Sequence, residues 1–134
     1  MRHGERASAE ARDLTPAERD LLDAMLDVEG LIHAESLRLQ AAGARASSSC
    51  ACGCGSIYLI VDETRIPAVD AVSLPVVEGD AFSNGGDVIG GVLLFARDGM
   101  LDNLEVYSLT DEPLPLPFRD RVRVRRYRDD GSTP

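Results

Sequence analysis

Val88-Ile89-Gly90-Gly91-Val92-Leu93-Leu94-Phe95-Ala96-Arg97-Asp98-Gly99-Met100-Leu101-Asp102-Asn103-Leu104-Glu105-Val106-Tyr107-Ser108-Leu109 is the stretch that decides the fold. Two runs with strong strand preference, residues 88–95 and 101–109, meet at Arg97-Asp98-Gly99. Asp-Gly is a preferred two-residue hairpin connection because both positions tolerate positive φ. In the second run the period of two puts Leu104, Val106 and Ser108 on one face and Glu105, Tyr107 and Leu109 on the other. An antiparallel hairpin with one buried face is therefore predicted at the centre of the protein.

Working outward, residues 79–87 contain Asn84-Gly85-Gly86 and are expected to form a loop. Residues 72–78 have strand preference, but Pro75 cannot donate to a ladder, so that strand is expected at a sheet edge. Ile57-Tyr58-Leu59-Ile60-Val61 is another short strand, reached through a small-residue loop over 44–49 and left through a charged connection over 62–71. On the other side Pro113, Pro115 and Pro117 interrupt pairing and make an extended connector. Arg121-Val122-Arg123-Val124-Arg125 then alternates at period two, as a half-buried strand with arginines outward. Those arginines are expected to cross an acidic neighbouring surface or to protect an edge strand from aggregation.

Two helices precede the strands. Thr15-Pro16-Ala17-Glu18 reads as a capping box with proline in the first turn. Leu21, Leu22, Met25, Leu26 and Val28 follow at helical spacing, and Gly30 supplies a stop after about four turns. A second helix is predicted over 31–42, ending at Gly43, with Leu31, Ala34, Leu37 and Ala41 or else Ile32 and Leu39 turned inward. The expected organisation is a disordered leader over 1–13, one domain over 14–128 and a disordered tail over 129–134. The fold class is α+β, two N-terminal helices packed on an antiparallel sheet of about four strands. At 134 residues such a chain buries a real core without disulfides.

The three cysteines stand together as Cys50-Ala51-Cys52-Gly53-Cys54. Zinc held by thiolates brings sulfurs to about 3.8 Å apart, whereas alternate residues of a straight strand are about 6.6 Å apart. Chelation by Cys50, Cys52 and Cys54 therefore needs a turn at Gly53 and Gly55, and a fourth ligand that the sequence does not identify. Thiol exchange between Cys52 and Cys54 would close a very short, strained ring, and His33 has no supporting partner as a base. The bland alternative is three small residues filling a close-packed turn.

Other catalytic templates are missing. Gly85-Gly86-Asp87-Val88-Ile89-Gly90 lacks the Lys-Ser or Lys-Thr of a phosphate loop, and no G-x-S-x-G or H-E-x-x-H occurs. Asp98 with Asp102, and Asp111 with Glu112, are explained as solvated carboxylates at least as well as acid–base pairs. The formal charge is -9, and residues 56–118 hold 11 acids against 2 arginines. Such a field disfavours nucleic acid and anionic membranes and speeds encounter with a cationic partner. No apolar span of membrane length is present and the first residues have no secretory pattern, so a cytoplasmic protein with reduced thiols is expected. The expectation is a small binding or interaction module without catalysis or cofactor, of the immunity or regulatory kind, meeting a cationic protein through acidic loops over 62–70, 78–87 and 111–112. The alternative is a zinc-binding or thiol-reactive protein centred on Cys50, Cys52 and Cys54. Homodimerisation through an exposed strand edge at 72–77 or 122–124 fits either.

Cys52-Gly53-Cys54 before an apolar strand, Gly91-Val92-Leu93-Leu94-Phe95 with Asp98-Gly99, Leu104-Glu105-Val106-Tyr107-Ser108 and Glu112-Pro113 together resemble a family of small uncharacterised bacterial proteins, mainly actinobacterial. The resemblance covers about residues 15–125. It implies no activity, and it implies that the cysteine turn and the hairpin share one neighbourhood. Ser56 directly after Gly55 departs from the proline expected near the third cysteine, which weakens a metal site taken by analogy.

Overall fold

The computed structural model describes residues 11–48, 54–62 and 75–127. In chain order the elements are β1 (Arg12–Asp13), α1 (Pro16–Met25), α2 (Ala34–Ala42), β2 (Arg45–Ser48), β3 (Ile57–Ile60), β4 (Pro75–Phe82), β5 (Val88–Arg97), β6 (Met100–Ser108), a 3-10 turn (Arg119–Arg121) and β7 (Val122–Arg126). All the strands join one antiparallel sheet in the order β1-β2-β3-β6-β5-β4-β7. The α+β class therefore holds, but among the described residues the sheet has seven strands where about four were expected.

The hairpin forms as its sequence dictates. Arg97 pairs with Met100, and Asp98 and Gly99 take φ of 52° and 82°, the double positive φ of a type I′ turn. Phe95 opposes Asn103 while Ala96 opposes Leu101, so Asp102 is the extra residue of a bulge. Gln40 of α2 secures the turn from the core side. Its amide donates to the Gly99 carbonyl (3.0 Å) and its oxygen accepts from Leu101 N–H (2.9 Å), all out of water.

Both helices lie on one face of the sheet, α1 against β4 and β7 and α2 against β6. Leu21, Leu22, Met25, Leu26 and Leu37 meet Ala46, Ile57, Leu59, Val77, Val92, Leu94, Leu104 and Val106 there. The capping box is present, with Glu18 N–H donating to Thr15 Oγ1 (3.1 Å) and Thr15 N–H donating to Glu18 Oε1 (2.9 Å). α1 ends at Met25, short of the stop expected at Gly30. The orphan Leu26 carbonyl instead accepts from Arg38 Nε of α2 (3.0 Å), while Arg19 of α1 donates to the Ala41 carbonyl at the end of α2. Each helix thus caps the other's C-terminus, and the chain between them turns at Gly30 and His33, both at positive φ. α2 consequently starts at Ala34 and not at Leu31, buries Leu37, Gln40 and Ala41, and leaves Ile32 and Leu39 exposed.

Three further expectations are corrected. Residues 12–13 of the expected leader are a strand against Ala46 and Arg45. Most of the expected loop over 44–49 is β2, which β3 pairs through Ser48↔Ile57 to Arg45↔Ile60. The strand expected over 72–78 runs on to Phe82 and is interior, between β5 and β7, with Pro75 tolerated as its first residue. Gly79 is required there, because a Cβ would strike Val122 across the ladder.

Candidate functional site: an acidic rim at one end of the sheet

Antiparallel pairing determines which loops meet. Gly90 pairs with Ser108, and Leu109 N–H donates to the Ile89 carbonyl (2.9 Å). The β4–β5 turn over 83–87 and the stretch 109–112 that leaves β6 therefore sit side by side at the end of the sheet opposite the Asp98-Gly99 turn. Two of the three acidic loops expected from sequence are brought together in this way. The third is not: Asp62 follows β3 at the other end, and residues 63–70 lie outside the described residues.

Hydroxyl groups hold both loops. Ser83 Oγ accepts from Gly85 N–H and Asp87 N–H, each at 3.2 Å, while Ser83 N–H donates to the Asp87 carbonyl (2.8 Å). Beyond β6, Thr110 N–H donates to Ser108 Oγ (3.0 Å) and Glu112 N–H donates to Thr110 Oγ1 (3.2 Å). These two stretches present exposed Asp87, Asp111 and Glu112 together with two apolar residues, Val88 and Leu109, which are 46% and 64% exposed. Exposed apolar residues and carboxylates on hydrogen-bonded turns can meet a protein partner with little ordering cost.

Glu78 and Asp80 behave differently from the expected loop acids. As strand residues they point away from the helices, and Arg125 of β7 lies across both. Its guanidinium donates to Asp80 Oδ2 (3.0 Å), and Nε lies 3.3 Å from Glu78 Oε2 without hydrogen-bond alignment. The bond to Asp80, together with the nearby Glu78 and Asp80 charges, raises the Arg125 pKa above its ordinary value despite partial desolvation. Of the arginine row, Arg125 crosses acidic neighbours, while Arg123 lies over the Phe82 ring. Tyr107 joins the same face, lying over Gly91, where a Cβ would collide with its phenol and with the Gly79 carbonyl.

Of the cysteines, Cys54 is half-buried just before β3. The expected ligands Cys50 and Cys52 lie outside the described residues. Among the described residues no group of three or more His, Cys, Asp or Glu is arranged to hold a metal. Gly55 N–H donates to the Leu114 carbonyl (3.0 Å) in the proline-rich connector, and Ser56 Oγ accepts from Val106 N–H (2.7 Å) and donates to its carbonyl (3.2 Å). His33 is exposed ahead of α2, and Asp98 and Asp102 are divided between an exposed turn and a buried bulge, where Asp102 accepts from Asn103 Nδ2 (2.9 Å). Among the described residues no helix is long and apolar enough to cross a membrane.

Sequence reasoning missed the exposure of Leu109, because it reads as one more alternating strand residue until the strand is seen to end at Ser108. No family model, curated protein or solved structure matches this chain.

Proposed function

We propose that this protein is a non-catalytic binding module that engages a cationic protein through the rim of Asp87, Asp111 and Glu112 together with Val88 and Leu109, in the manner of an immunity or regulatory protein. The observation that carries the reading is the pairing of exposed apolar residues with carboxylates on loops already closed by Ser83, Ser108 and Thr110. The formal charge of -9 adds a long-range attraction for a basic partner.

The test uses basic peptides of defined sequence selected on the full chain. Asp87→Asn/Asp111→Asn/Glu112→Gln is compared with Asp23→Asn/Glu29→Gln/Glu35→Gln, which makes the same charge change on the exposed helix side. The rim variant is expected to slow association about tenfold, the helix variant much less, and raised salt to slow the wild type. Equal losses in the two variants, or a rate indifferent to salt, would refute the rim.

A further inference from the structure

A second binding surface of opposite sign lies at β7, the last strand of the sheet. Among the described residues it pairs only with β4. Tyr127 N–H donates to the Val76 carbonyl (3.1 Å), which makes that pair, and by alternation Arg125↔Glu78 and Arg123↔Asp80, the hydrogen-bonded ones. The N–H and carbonyl groups of Val124 and Arg126 therefore point to the open edge. The Val122 N–H is already used, donating to the Arg119 carbonyl.

Charge decides what the edge accepts. Residues 119–126 hold five arginines and one aspartate in a chain that is otherwise acidic. Arg125 is engaged with Asp80 and Glu78, whereas Arg123, opposite Asp80 in the ladder, is exposed with its guanidinium 5.4 Å from the centre of the Phe82 ring and, among the described residues, forms no ion pair. Arg126 is also exposed and reaches only the Gly30 carbonyl (3.3 Å). A second β7 laid against this edge would set arginine against arginine.

We infer that the β7 edge is a strand-addition site for an extended partner segment in which acidic and apolar residues alternate. Acidic side chains opposite Arg123 and Arg125 occupy the closely spaced non-hydrogen-bonded positions, and the alternate apolar ones continue the row of half-buried Val122 and Val124. The main-chain ladder to Val124 and Arg126 supplies the remaining contacts. This surface is independent of the rim.

Capped synthetic peptides of about six residues test it, one alternating Glu and Val and one alternating Arg and Val. The Glu/Val peptide is expected to bind the full chain saturably and to slow hydrogen exchange at Val124 and Arg126, and the Arg/Val peptide to do neither. Arg123→Glu should weaken binding about tenfold, and Val124→Pro, which removes an outward donor that β4 does not use, should abolish it. Circular dichroism verifies the fold of the proline variant, and the exposed Arg123→Glu variant decides the matter if that variant unfolds. Binding of both peptides alike, protection mapping away from β7, or a homodimer that Val124→Pro dissolves would each overturn the assignment. Loss of the rim variant's phenotype with edge binding intact would sink the rim and leave this proposal standing.

Discussion

Glu18 shows how much one side chain does where α1 meets β1. Burial alone would push its pKa up, but bonds from both Arg12 guanidinium nitrogens (2.8 and 2.9 Å) and from Thr15 outweigh it and hold the carboxyl below its ordinary 4.5. A carboxylate with a depressed folded-state pKa contributes stability that is complete above its unfolded value and is lost as pH falls through the folded value. Wild type is therefore expected to exceed Glu18→Gln by a constant margin above pH 4.5, and the margin should shrink below it. Urea unfolding of both proteins across the acid range measures this, and a margin unchanged into strong acid would contradict it. Thr15→Ala removes the acceptor for Glu18 N–H and should cost about 1 kcal/mol at neutral pH in the same assay.

At the scale of elements, β4 and β7 are tied by charge as well as by their ladder. Burial, then Asp80 and Glu78, push the Tyr107 phenol above its ordinary 10.0, and Arg125 opposes them. A raised phenol favours the fold while neutral, so its contribution is present below pH 10.0 and is lost as pH rises through the folded value. Arg125→Met should move the phenolate absorbance of Tyr107 to still higher pH, assigned by its loss in Tyr107→Phe, and should cost about 1 kcal/mol, since the two carboxylates are partly solvated. An unmoved titration would mean that the cluster is not coupled. The elements legible in the sequence are those with local signals: the Thr15 cap and the Asp98-Gly99 hairpin carry their own geometry. β2 was missed because Arg45-Ala46-Ser47-Ser48 has no β-branched or aromatic residue and owes its strand to β3. The far half of β4 was missed because Glu78-Gly79-Asp80 reads as a loop until Arg125 supplies the counter-charge and Val122 and Val92 occupy the space beside Gly79. The rim was half legible: its acids are visible in sequence, but their meeting depends on a register that only folding reveals.

Across the whole molecule the sheet has one weak seam. β5 is paired along nearly its full length with both β4 and β6, whereas β3 joins β6 through just Ile57↔Leu104 and Tyr58↔Asn103. Beyond that short ladder the seam is closed by a side chain, because Ser56 Oγ takes the place of a third strand residue by accepting from Val106 N–H and donating to its carbonyl. Among the described residues the group β1-β2-β3 is then held to the other strands and the connector by two backbone pairs, one hydroxyl, the Gly55 bond to Leu114 and the packing of Ala46, Ile57 and Leu59 into the shared core, and to α1 by the Arg12–Glu18 bonds. Local opening follows the fewest bonds, so this group should open before β4, β5 and β6 do. Native-state hydrogen exchange is expected to rank the amides of β2 and β3 below those of β5. Ser56→Ala leaves the buried Val106 groups without their partner, at a cost of about 1–3 kcal/mol, and should speed exchange in β2 and β3 while sparing the β4–β5 ladder. Uniform acceleration across all seven strands would show instead that the sheet opens as a single unit and that the hydroxyl holds no seam.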